Sequence, residues 1–112
     1  MEIRQRREGA VAVVALAGRL TINDQPGQLK AAIADALNAG ARHALLDLSG
    51  VNYIDSTRLG ELIAAHVTVT RQGGRLKLAG APHRILELLQ IAGLEDVFEH
   101  YDTVAEALPT FI

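Results

Sequence analysis

From Ala10 to Ala17 the chain reads Ala-Val-Ala-Val-Val-Ala-Leu-Ala, nearly continuous in apolar character and rich in β-branched residues. That is the pattern of a strand covered on both faces. Residues 2–8 precede it as a first strand joined to it at Gly9, and Gly18 is expected to end it. Arg19 to Asp24 then reads as a polar loop, and Gln25-Pro26 suits a helix start, since proline loses nothing at the first helical position. Leu29, Ile33, Ala36 and Leu37 recur at helical spacing up to Gly40, which closes the helix as a C-cap. His43–Leu48 is the next strand, followed by Ser49-Gly50 and a short apolar step, Val51 to Ile54. From Leu59 the period is helical again, with Leu62, Ile63, His66 and Val67 on one stripe, until Gly73-Gly74 breaks it. Arg75 to Ala79 alternates as a half-buried strand. A third helix carries Ile85, Leu88 and Leu89 to a stop near Gly93. Val97 to Tyr101 reads as a last short strand, and Thr103 to Leu108 as a final helix with Asp102 as its N-cap. Strands alternating with helices after an opening strand pair predict an α/β fold, a mixed sheet with helices packed on it.

Composition narrows the class. At 112 residues the chain is expected to be one domain, 1–112, with no repeat or linker. Hydrophobic residues make up 49% and charged residues 21%, which is enough apolar material for a two-layer core. The net charge of −2 offers no broad field to nucleic acid or an anionic membrane. Arg4, Arg6 and Arg7 form the one local basic cluster, and Glu2 and Glu8 flank it, as on a solvated strand face. With no cysteine, disulfides and thiolate metal sites are excluded. The amino-terminal residues lack a signal-peptide core, and the longest apolar run is eight residues against the roughly 20 of a spanning helix. A soluble cytoplasmic protein is the expectation.

The chemistry gathers in Ile54-Asp55-Ser56-Thr57-Arg58-Leu59-Gly60. The spacing places Asp55, Ser56 and Thr57 just after a buried strand and at the start of the second helix. Hydroxyl and carboxylate side chains there cap orphan amides, so such a cluster is in the first place a capping signal. The same amides and the positive end of the helix dipole also tolerate a phosphate. Ser56 is therefore both a good cap and an acceptable phosphate carrier. Gly60 keeps the first turn slim, so that a partner can approach closely.

In its order the whole chain resembles the STAS domain family, which includes the bacterial anti-sigma-factor antagonists. The resemblance rests on the apolar strand Leu45-Leu-Asp-Leu48, on Asp55-Ser56-Thr57-Arg58-Leu59-Gly60 for the family's Asp-Ser-Ser/Thr-Gly-Leu-Gly, on Gln72-Gly73-Gly74 before Arg75-Leu-Lys-Leu78, on the helix ending in Gly93-Leu94, and on the tail Thr103-Val-Ala-Glu-Ala-Leu108. It implies a STAS-like mixed sheet of four to five strands backed by helices, and Ser56 as the phospho-acceptor. The implied partners are an ATP-dependent anti-sigma serine kinase and a phosphatase that resets the switch, and the implied output is control of a sigma factor. The surface implied to face the kinase comprises Asp55, Ser56, Thr57, Arg58, Leu59, Gly60, Thr21 and Asp24, on a monomer or weak dimer. Arg58 stands where many members have glycine and is expected to add bulk and a cation to that surface, pairing with Asp55, a phosphate or an acidic partner, or lying solvated on the helix. Thr21 stands where some antagonists place an acidic residue.

Other constellations carry less. The histidines at 43, 66, 83 and 100 lack ligand-like spacing, so no metal is expected, and His66 on its apolar stripe reads as a satisfied core or boundary histidine. Neither a nucleophile elbow nor a phosphate-binding loop is present, which predicts a non-enzyme without cofactors. Two further roles fit the same resemblance. One is an accessory subunit of a membrane transporter, because similar STAS domains dock on lipid-transport ATPases. The other is a scaffold subunit of a stress-sensing assembly.

Overall fold

A computed structural model describes residues 2–21 and 27–111. In chain order the elements are β1 (Glu2–Glu8), β2 (Val11–Leu20), α1 (Gln28–Asn38), β3 (His43–Ile54), α2 (Ser56–Arg71), β4 (Leu76–Ala79), α3 (His83–Ile91), β5 (His100–Tyr101) and α4 (Val104–Ala107), followed by a 3₁₀ turn at Leu108–Thr110. The strands form one five-stranded sheet in the order 1-2-3-4-5, with β1 antiparallel to β2 and the rest parallel. Each parallel step needs a crossover. α1, α2 and α3 supply the three crossovers and share one core with the sheet, through Leu29 and Ile33, Leu59 and Leu62, and Ile85 and Leu89. The opposite face has a smaller core of Val11, Val13, Leu45, Ala79 and Ala107, covered by Val104, Leu108 and Phe111. β2 is therefore enclosed on both sides along its first half, as its continuous apolar run predicts.

Several boundaries differ from the expected ones. β2 continues three residues past Ala17, because Gly18 at φ 93 bends the strand within a register shift instead of ending it. β3 is one strand of 12 residues, not a strand and a separate step. Two register shifts against β2 each add a residue to β3: Ala15 and Ala17 oppose Asp47 and Gly50, and Gly18 and Arg19 oppose Val51 and Tyr53. Bulges of this kind reset which face a side chain takes. Leu48, Val51 and Ile54, three apart, consequently all enter the same core. Thr103 rather than Asp102 caps α4, accepting from the Glu106 amide at 3.1 Å. Val67 is exposed, and Ala65 and Val69 complete the buried stripe of α2 instead. The helix start expected at Gln25-Pro26 lies outside the described residues.

β4 is buried on both faces rather than half-buried, Lys77 included at 2% exposure. The Lys77 ammonium donates to the Thr110 carbonyl (3.1 Å) and hydroxyl (2.8 Å), pairs with Glu99 at 3.0 Å, and lies 4.8 Å from the centre of the Phe111 ring. A buried cation is tolerable only with such partners. Here they pin the carboxyl-terminal turn onto the sheet. His43 completes the latch. Its ring lies 5.4 Å from that of Phe111, and its Nδ1 accepts from the Arg75 amide at 3.0 Å.

Burial, and then the charges of Arg42, Arg75 and Lys77, hold the His43 pKa below its ordinary 6.5. The unfolded chain therefore takes up a proton that the folded chain refuses, so stability is full above about pH 6.5 and declines as pH falls toward the folded value. Thermal melts from pH 7.5 to 5 are expected to show a falling midpoint, and the fall should shrink in His43→Gln, which keeps an acceptor without titrating.

Candidate functional site

The second helix begins where two strands end together. The Asp55 amide donates to the Leu20 carbonyl at 3.0 Å, which ties the end of β3 to the end of β2. Asp55 is the N-cap: its backbone is extended, at φ −94 and ψ 174, and its carboxylate Oδ1 accepts from the Arg58 amide at 2.9 Å. Its carbonyl accepts from the Leu59 amide at 2.9 Å. With the cap supplied by Asp55, the capping role expected of Ser56 falls away. Ser56 is instead the first helical residue, and its exposed side chain is held by no hydrogen bond among the described residues. Its hydroxyl stands at the amide-rich, positive end of a 16-residue helix, where added negative charge is electrostatically favoured. Thr57 and Gly60 are exposed beside it.

Arg58 lies elsewhere than expected. It is 2% exposed, neither solvated nor part of the outer surface. The first turn directs it inward, toward the end of β2, where Nε donates to the Thr21 carbonyl at 2.8 Å and Nη1 to Glu61 Oε2 at 2.6 Å. The other oxygen of Glu61 accepts from the Gly27 amide at 3.4 Å. Leu59 is also buried and belongs to the core. The structure thus brings together Thr21, Asp55, Ser56, Thr57 and Gly60, with Arg58 and Leu59 beneath them. Asp24 lies outside the described residues.

A neighbouring surface was not read from the sequence. Tyr53 is 37% exposed, with the Arg19 guanidinium 4.5 Å above its ring centre. Together with Ile54, Arg84, Leu88 and Ile91 it lines a shallow groove, and Ile91 is 84% exposed. The available signal was Tyr53 in the apolar step before Asp55, which the bulged register turns outward. His66 packs edge-on against Phe98, with ring centres 5.5 Å apart. Contrary to the expectation of a satisfied histidine, its Nδ1 is buried with no hydrogen-bond partner among the described residues. Among the described residues no group of three or more His, Cys, Asp or Glu is placed to hold a metal ion, and no helix is long and apolar enough to cross a membrane.

Known proteins place this geometry. A family described as "Mlab, STAS domain" matches residues 3–101. The anti-sigma-B factor antagonist of Bacillus subtilis is 40% identical over 52 residues, 46% of this chain and 48% of that protein. This chain spans less than two thirds of the length of the first curated relatives that it matches. A crystal structure from Thermotoga maritima, of a candidate anti-sigma-factor antagonist, superposes with a TM-score of 0.87 at 24% identity, covering 97% of this chain and 93% of that one. The phosphorylated form of the Bacillus cell fate determinant SpoIIAA superposes with a TM-score of 0.76 at 18% identity, covering 97% and 98%. At these identities the two structures establish the shared fold.

Proposed function

The chain belongs to the STAS domain family, and we propose that it works within it as an anti-sigma-factor antagonist switched by phosphorylation of Ser56. Unmodified, the surface around Ser56, Thr57, Gly60 and Thr21 docks on an anti-sigma serine kinase in the cytoplasm and frees the sigma factor. ATP-dependent phosphorylation by that kinase ends the contact, and a phosphatase restores it. The chain acts by binding, without catalysis of its own. One observation carries the reading: an exposed hydroxyl stands at the start of α2, released from capping because Asp55 does the capping. That is the position at which the family resemblance implies the phospho-acceptor. The curated relatives named as anti-sigma-B factor antagonists support the same role.

The test is direct. Incubated with ATP and the anti-sigma kinase of its own host, the chain is expected to gain the mass of one phosphate, mapped to Ser56 by peptide fragmentation, and Ser56→Ala to gain none. Native material and kinase-treated protein that both lack phosphate at Ser56 would overturn the reading.

The STAS resemblance also carries a second reading, an accessory subunit of a membrane transporter, because similar STAS domains dock on lipid-transport ATPases. In that case the Ser56 turn is a permanent docking edge, and the protein isolated from its host carries no phosphate and travels with the ATPase.

A further inference from the structure

Arg58 occupies the least accessible part of the site, yet it joins pieces that are distant in sequence. A guanidinium offers five donors in a rigid fork, so one side chain can serve a carbonyl and a carboxylate together. Here it serves the Thr21 carbonyl at 2.8 Å and Glu61 at 2.6 Å, while Glu61 also takes the Gly27 amide. Thr21 is the last residue before the 22–26 stretch and Gly27 the first after it. Arg58 and Glu61, one helical turn apart on α2, thus hold both flanks of that stretch against the helix that begins at Ser56. The third tie at this corner, from the Asp55 amide to the Leu20 carbonyl, is made by backbone and is independent of side-chain identity. A buried ion pair is costly to desolvate, and replacing the whole pair by well-packed apolar residues is often neutral for stability, so the pair is weak evidence of a stabilising role. Its contribution is therefore geometric.

We propose that the Arg58–Glu61 pair is a positioning device. It locks the end of β2 and the start of α1 against the Ser56 turn, so that a partner meets one rigid surface whose affinity depends on a side chain lying beneath it. This inference rests on the partner-binding reading given above. Arg58 itself is a positioning residue and does not touch the partner. A glycine at this position leaves the two flanks without that anchor, so the identity of residue 58 separates partners that need a fixed corner from those that adapt to a loose one.

The experiment has two arms on the full chain. In the first, amide hydrogen exchange is followed by NMR in wild type, Arg58→Met, Arg58→Lys and Glu61→Gln. Exchange at Leu20, Thr21, Gly27 and Gln28 is expected to quicken at least tenfold in Arg58→Met, while Leu45 and Leu46 at the sheet centre keep their rates. Arg58→Lys, which keeps the charge but lacks the planar fork, should recover part of the protection. Glu61→Gln, which keeps an oxygen acceptor but removes the charge, should shift Gly27 and Gln28 in the same direction. In the second arm, calorimetry with the ADP-loaded host anti-sigma kinase is expected to show about tenfold weaker binding for Arg58→Met, with partial rescue by Arg58→Lys. Unchanged exchange in both Arg58→Met and Glu61→Gln overturns the inference, as does quickened exchange with wild-type affinity. A wild-type chain that binds no such kinase refutes the proposed function instead, and the exchange rates alone then decide whether the pair locks the corner.

Discussion

Phosphorylated at Ser56, the chain is expected to bind its kinase about a hundredfold more weakly than the unmodified protein, with Ser56→Asp about tenfold weaker and Ser56→Ala close to wild type. The phosphate brings about −1.5 to −2 charges. It arrives next to the Asp55 carboxylate, which the Arg58 amide already fixes at the rim of the turn. A partner surface shaped for a neutral hydroxyl has no cations aimed there, so contact would desolvate two adjacent anions. A penalty of about 3 kcal/mol corresponds to the hundredfold loss, and a single aspartate charge to roughly half of it. The fold itself should not register the change, because the helix dipole and the amides of the first turn favour an anion at that end. Calorimetric titration of ADP-loaded kinase measures the affinities, and thermal melts verify that the three proteins are equally folded. Equal affinity for Ser56→Ala and Ser56→Asp would remove the electrostatic basis of the switch.

Replacing Gly74 with alanine is expected to cost about 3 kcal/mol or more, the scale of a severe steric clash in a packed core. A Cβ at Gly74 would lie 1.8 Å from the Arg42 carbonyl oxygen and 2.9 Å from its carbon, with Val69 Cγ1 at 3.1 Å. Backbone atoms cannot swing aside as a flexible side chain does. Either the entry to β3 or the join between α2 and β4 must shift, and the Gly74 amide then loses its 3.0 Å bond to the Val69 carbonyl. In a domain of this size the midpoint should drop by more than 10 °C, on the basis of roughly 4 °C per kcal/mol. Gly60→Ala is the control. A Cβ there meets nothing within 4 Å, and the position is inside a helix, so alanine should raise stability by about 0.5–1 kcal/mol. Chemical denaturation of the two variants beside wild type tests both signs at once.

Where apolar residues follow one period, the sequence was a reliable guide. The doubly covered β2, the three crossover helices and Asp55–Ser56 at the mouth of α2 were all legible, because each repeats a local rule over several residues. Legibility failed where two rules overlapped. Leu48, Val51 and Ile54 are spaced by three, which suits neither a regular strand nor the helix that follows, and only the pairing of β3 with β2 shows that bulges absorb the extra residues. Lys77 falls in the stretch read as an alternating, half-buried strand, yet the carboxyl-terminal turn, more than 30 residues later, covers it. Arg58 was misplaced for the same reason. Nothing local tells that a cation in the first turn of a helix will find a carbonyl 37 residues earlier in the chain. Charged residues that settle under a surface owe their place to distant backbone, and local periodicity carries no record of it.

The outer strand of the sheet has a consequence for crowded solution. β1 leaves one row of amides and carbonyls open along its length, and two copies meeting there antiparallel about Gln5 would set Arg4 against Arg6 and Glu2 against Glu8. The Arg4–Arg6 and Glu2–Glu8 pairings place like charges face to face, a known deterrent to ribbon growth between molecules, while Ile3 meets Arg7. In that register the exposed border works against self-stacking by its own ordering of charge.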